Sequence, residues 1–144
     1  SMGTINKGAR DVAAQLIIHG CTDITGFSLI GHVSEMAKAS GTSVEIYAEH
    51  IPLCTDVLEA ASMGLVPAST YGNRKALGDQ AEFADHLDPV WSDICFDPQT
   101  SGGLLFACSE SEGKQLLSEL QAKGLQAAQI GRVIQEGRKQ VYVK

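Results

Sequence analysis

Leu104-Leu105-Phe106-Ala107-Cys108-Ser109-Glu110-Ser111-Glu112 is the stretch that decides the fold class. Its first five residues form a short apolar run, the pattern of a buried strand. Ser109 and Glu112 then stand at the S-x-x-E spacing of a capping box, in which the two side chains satisfy backbone N–H groups at a helix start. Leu116, Leu117 and Leu120 share one face of the helix so opened, and Gly124 stops it. Two further strands are expected at 127–134 and 140–143, joined by a turn at Glu136-Gly137 into a closing hairpin. A strand–helix–strand unit with a hairpin behind it predicts an α+β domain: a mixed sheet with helices packed on it.

Upstream, Ile5, Val12, Ala13, Leu16 and Ile17 recur at helical spacing and predict a first helix ending near Gly20. Cys21-Thr22-Asp23-Ile24-Thr25-Gly26 is short and polar and reads as a loop. Phe27, Leu29, Ile30, Val33, Met36 and Ala37 make the stripe of a second helix, closed by Ser40-Gly41. Val44, Ile46 and Ala48 alternate with polar neighbours, as in a half-buried strand. Val57, Leu58, Ala61 and Leu65 outline a third helix closing around Gly64. From 66 to 93 the pattern weakens, and one short helix is expected around 75–84. Ile94-Cys95-Phe96 reads as a short strand. No internal repeat or low-complexity tract interrupts the chain. Residues 1–2 have the look of an expression remnant, 3–10 of a linker tail, and 3–144 of a single domain.

The chain has 144 residues, 44% of them hydrophobic, enough for one core. Its net charge of -6 argues against a nucleic-acid or anionic-membrane partner, since both need basic patches. No apolar run reaches the length of a membrane-spanning helix. The four cysteines, Cys21, Cys54, Cys95 and Cys108, contain no C-x-x-C pair, and the expected state is reduced thiols in a cytoplasmic protein, three of them in apolar surroundings.

Two segments carry candidate chemistry. In Thr22-Asp23-Ile24-Thr25-Gly26-Phe27, a carboxylate, two hydroxyls and a glycine precede a helix N-terminus. Unpaired N–H groups there attract anions, and Asp23 could hold a divalent cation bridging to phosphate. The commoner role for Asp23 or Thr25 in that position is a helix cap. In Thr100-Ser101-Gly102-Gly103, paired glycines allow close backbone approach to a ligand, or simply a tight turn. None of the four histidines has zinc-pair spacing. His19 is expected at a helix end, where it meets the helix dipole, and His32 is expected as a packing residue within reach of Asp23's loop. Asn73-Arg74-Lys75 reads as a solvated loop charge.

Taken together, the two segments resemble a known family. Cys21-Thr22-Asp23-Ile24-Thr25-Gly26-Phe27-Ser28-Leu29-Ile30-Gly31-His32, with Glu35-Met36-Ala37, is similar to the opening of the selenophosphate synthetase C-terminal domain. Asp97-Pro98-Gln99-Thr100-Ser101-Gly102-Gly103-Leu104-Leu105 resembles that family's second hallmark, and Ile51-Pro52-Leu53, Gly64-Leu65-Val66-Pro67 and Ile130-Gly131-Arg132-Val133 fit at plausible distances. The resemblance implies the aminoimidazole-ribonucleotide-synthetase-like fold, a three-layer α/β/α sandwich. It implies an enzyme that makes selenophosphate, AMP and orthophosphate from ATP, selenide and water, with magnesium, as a homodimer. Asp23 is then the carboxylate this domain lends to the metal cluster, and Thr25, Gly26, Thr100, Ser101, Gly102 and Gly103 form the phosphate or active-site loops. The reactive Cys or selenocysteine, its lysine and the other metal carboxylates belong to an N-terminal domain outside this chain, so no catalytic nucleophile is expected here and Cys21 is not one. Ser28 departs from the family pattern, standing where glycine is common. Ala68-Ser69 and Gly72 depart as well, which weakens any anion-binding role for 67–74. Two rival readings stand: a domain of another ATP-dependent enzyme of the same superfamily, or a non-catalytic dimerisation or ligand-binding module.

Overall fold

A computed structural model describes residues 6–144. The proposed remnant at 1–2, the first part of the linker tail and Ile5 of the first helical stripe lie outside the described residues. The elements run α1 (Lys7–Ala13), β1 (Ile18–Asp23), α2 (Ser28–Ala39), β2 (Thr42–Ile46), α3 (Val57–Ser62), α4 (Ala68–Leu77), β3 (Ala81–Phe83), α5 (Val90–Phe96), β4 (Leu104–Cys108), α6 (Glu110–Ala122), β5 (Gly131–Gln135) and β6 (Val141–Val143). Short 3-10 turns lie at Ala48–His50 and Gly78–Gln80.

The strands form two sheets. β1 and β4 pair antiparallel, with Asp23 opposite Leu104 and Cys21 opposite Phe106. The other four are ordered β3-β6-β2-β5; β2 is antiparallel to β5 and parallel to β6, which is parallel to β3. The expected mix of strands and packed helices is present, but the closing hairpin is not. β5 and β6 lie on opposite sides of β2, because Val141 and Val143 belong to the central core and β6 must sit where they are covered.

Local readings changed where tertiary pairing overrode the local pattern. The first helix stops at Ala13, and 18–23, expected as helix end and loop, is a strand. The β-branched pair Ile17-Ile18 suits extended backbone, and β4 supplies the ladder. His19 therefore sits in a strand, not at a helix end. Residues 94–96 end a helix instead of forming a strand: Pro89 stands at its N-cap and the Asp88 carboxylate accepts from Val90 N–H at 2.9 Å. The helix expected around 75–84 begins earlier, at Ala68, and gives way to β3. The capping box at Ser109 is half made. Ser109 Oγ accepts from Glu112 N–H at 3.3 Å, while the Glu112 carboxylate turns away to accept from Ile17 N–H at 3.1 Å. Of the cysteines only Cys95 is fully buried, its thiol pushed up to about 12 by loss of solvent; Cys21 and Cys54 are exposed and Cys108 is half-buried.

Helix α2 is the centre of the packing. It touches β1, β2, β6, α4 and α5, and Ser28, Ile30, Gly31, His32, Val33, Ser34 and Ala37 are all buried. Ile30 and Val33 join Ile46, Phe96, Val141 and Val143 in the main core, each large apolar side chain contributing roughly 1.5–3 kcal/mol on burial. A second cluster, Val12, Ala13, Leu116 and Leu120, binds α1 to α6. No helix among the described residues is long and apolar enough to cross a membrane.

Two stability predictions arise here. Ser28 has φ +70°, a left-handed conformation that strains a side-chain-bearing residue by roughly 1–2 kcal/mol. Ser28→Gly and Ser28→Ala both lose the buried hydroxyl that accepts from Gly31 N–H at 3.5 Å, and only glycine relieves the strain, so the glycine variant should melt above the alanine variant; a glycine variant melting at or below the alanine variant would remove the strain argument. Glu45, 6% exposed, takes Lys144 Nζ and Arg132 Nε, and these bonds hold its carboxyl below the ordinary 4.5. A depressed carboxyl pKa stabilises the fold above the unfolded value and loses that contribution as pH falls through the folded one. The melting-temperature gap between wild type and Glu45→Gln should be open at neutral pH and close as pH falls below 4.5. A gap independent of pH would mean that the ion pairs do not act through charge.

Candidate functional site

β1 ends at Asp23, and the chain then crosses to the segment that precedes β4. Ile24 N–H donates to the Gly103 carbonyl and Gly102 N–H donates to the Ile24 carbonyl, each at 2.9 Å. Gln99 N–H donates to the Thr25 carbonyl at 3.1 Å. The two motif segments, far apart in sequence, therefore meet as one hydrogen-bonded unit. Gly103 turns the chain with φ +93°, and Gly102 admits the close approach. A Cβ at Gly102 would lie 3.0 Å from Gln99 Cβ, Ile24 Cβ and Ile24 Cγ2.

Thr25 is engaged at every polar atom. Its N–H donates to His32 Nε2 at 3.1 Å, its Oγ1 lies 3.1 Å from the same nitrogen, and its carbonyl accepts from Ser28 N–H at 3.0 Å as well as from Gln99. It is not a side-chain cap, and neither is Asp23. Helix α2 opens later, at Ser28, with Phe27 in the cap position and no side-chain cap bond. His32, 7% exposed, does reach this loop.

Helix α4 closes the unit from the other side. Asn73 Nδ2 donates to the Gly26 carbonyl at 3.0 Å and to the Phe96 carbonyl at 3.1 Å, so one amide ties the first segment to the end of α5. Thr70 Oγ1 donates to Asp97 Oδ1 at 3.4 Å. Burial pushes the Asp97 carboxyl up, and the Thr70 hydroxyl works against that shift. Arg74, expected as a solvated charge, instead pairs with Asp93 and lies over the Tyr71 ring at 5.9 Å. The sequence reading missed Thr70 and Asn73 as members of the site. Polar residues one turn apart, in a segment with no apolar stripe, were the available signal.

Asp23 is exposed, and its carboxylate makes no hydrogen bond or ion pair with the described residues. Alternation along β1 puts it on the same exposed face as His19 and Cys21. Although the residue is exposed, partial desolvation of its sulfur and then the Asp23 charge push the Cys21 thiol up, the opposite of the shift that activates a nucleophilic cysteine. Among the described residues no three His, Cys, Asp or Glu side chains are grouped to hold a metal ion. One open carboxylate fits a magnesium ion whose remaining ligands come from elsewhere, because magnesium takes one or two carboxylates and fills its shell with water and phosphate. Thr100 is exposed and Ser101 half-buried.

The fold and this unit place the chain in a class: it belongs to the family described as AIR synthase related protein, C-terminal domain, whose sequence model matches residues 4–144. Within that class it is 40% identical over 143 residues to selenide, water dikinase of Clostridium botulinum (strain Eklund 17B / Type B), covering 99% of this chain and 41% of that protein. It is 42% identical over 143 residues to selenide, water dikinase of Agathobacter rectalis, with 99% and 42% covered. The chain thus spans about two fifths of the length of these relatives. Solved structures share the fold: thiamine-monophosphate kinase from Stenotrophomonas maltophilia K279a (TM-score 0.60, 16% identity, 92% of this chain and 33% of that one) and Escherichia coli HypE, a hydrogenase maturation protein (TM-score 0.57, 22% identity, 94% and 34%).

Gly102→Ala tests the junction. Gly102 does not share the left-handed φ of Gly103, so the cost is steric, and overpacking against Ile24 and Gln99 should destabilise the chain by about 1–3 kcal/mol. Chemical denaturation of the variant reads this directly; an unchanged midpoint would show that Gln99 and Ile24 yield freely.

Proposed function

We propose that this chain is the C-terminal domain of a selenide, water dikinase, a phosphotransferase that makes selenophosphate, AMP and orthophosphate from ATP, selenide and water. The observation that carries the reading is identity near 40% along essentially the whole chain to proteins of that name. Two features of the site support it: an uncommitted carboxylate at Asp23, and the hydrogen-bonded junction of both motif segments that begins at the next residue. Magnesium, when bound, would neutralise phosphate charge and orient the transferred group. Asp23 would hold it from this side, while 100–103 would line the approach. The nucleophile and the other carboxylates would come from an N-terminal domain. Cytoplasmic location agrees with thiols at Cys21, Cys95 and Cys108, and homodimerisation belongs to the same reading.

The reading makes two measurable claims. Purified alone, residues 1–144 should form no AMP from ATP and selenide; selenide-dependent turnover by this chain would overturn the division of labour. In the complete enzyme, Asp23→Asn keeps shape and removes charge. It should leave the melting temperature near wild type and abolish turnover or shift it to about 10–100-fold higher magnesium. Unaltered turnover at ordinary magnesium would exclude Asp23 as a ligand.

A further inference from the structure

We propose that His32 is a positioning residue for the turn that follows Asp23, acting through Thr25. The inference rests on the functional reading above for its catalytic readout only. Thr25 N–H can only donate, so His32 Nε2 is the acceptor and carries no proton. The Thr25 hydroxyl, 3.1 Å from the same nitrogen, can only share that nitrogen's single lone pair, so the two Thr25 donors make one three-centre contact. The ring proton falls on Nδ1, which faces the exposed Glu35 carboxylate at 3.7 Å. One buried nitrogen thus fixes both the backbone and the side chain of Thr25.

That restraint has a direction. With its N–H and hydroxyl held toward α2, Thr25 points its carbonyl at Ser28 N–H and Gln99 N–H. This carbonyl is where the first segment, the helix and the second segment meet. Asp23 lies two residues upstream, held on one side by its pairing with Leu104 and on the other by the Ile24 bonds to Gly102 and Gly103. Thr25 is the next restraint past Ile24, and releasing it loosens the turn against which the Ile24 bonds, and through them the Asp23 carboxylate, are held in place. Partners that orient metal ligands without touching the metal are worth about 10–100-fold in metal affinity or activity.

The test uses the complete enzyme carrying His32→Phe, which keeps a ring and removes the acceptor, and His32→Gln, whose Oε1 can replace Nε2. Two readouts are taken: hydrogen exchange of the Thr25 amide, and the magnesium concentration giving half-maximal turnover. The expected result for His32→Phe is exchange at Thr25 and a magnesium requirement each raised about 10-fold or more, with His32→Gln within about 3-fold of wild type. A lower melting temperature in His32→Phe with both readouts unmoved would overturn the proposal and leave His32 a packing residue. His32→Gln behaving like His32→Phe would also overturn it. Should His32→Phe not fold, His32→Leu, which also removes the acceptor, takes its place and is read in the same two ways; both readouts unmoved there would overturn the proposal. If the wild-type enzyme forms no selenide-dependent AMP, the functional reading falls, and Thr25 amide exchange still decides the role of His32.

Discussion

The reciprocal pair of backbone hydrogen bonds between Ile24 and the Gly102-Gly103 peptides is the constraint from which the rest of the site follows. It continues the β1–β4 ladder one step past the last strand residues, into segments whose polar composition would otherwise leave them as separate loops. Once Ile24 is fixed, Thr25 presents its carbonyl to Gln99 and Ser28, and α2 starts where it does. Each bond contributes only about 0.5–1.5 kcal/mol net. Their value is geometric, because they place an exposed carboxylate at the end of a strand that cannot slide.

Around that junction the side-chain contacts divide by chemistry. α2 anchors it through apolar burial of Ile30 and Val33, with His32 as its polar contact to the loop. α4 anchors it through polar contacts, with Thr70, Asn73 and Arg74 each bonded to a different group on α5 or the adjoining loops. Two supports of different kind converge on residues 24–26, one insensitive to salt and one containing an ion pair.

Those supports also explain what was legible in the sequence. Helices α2, α3 and α6 and strands β2 and β4 carried apolar periodicity or a cap, and they form close to where the pattern put them. β1 and α5 did not: the alternation in 18–23 is masked by Gly20 and Thr22 on the inner face, and α5 is a short helix whose apolar end looked like a strand. α4 was indistinct because polar bonds hold it and only Thr70 is buried. Asp23, Thr25 and the Thr100–Gly103 segment stood out by composition, yet composition was silent on which of them stay open. Thr25 is spent on internal bonds and Asp23 is not, a distinction that only the partners of each atom reveal.

The strand order β3-β6-β2-β5 bears on how the chain folds during synthesis. β6 follows the other described strands in sequence and lies between two that precede it. Until residues 141–143 emerge, β2 and β5 can pair, but β3 has no neighbour and Ile46 lacks the cover of Val141 and Val143. A ribosome-bound intermediate would carry a bare apolar strand edge next to a finished helix, the kind of surface that recruits chaperones or sticks to another nascent chain. Closure of the sheet between β2 and β3 thus waits on β6.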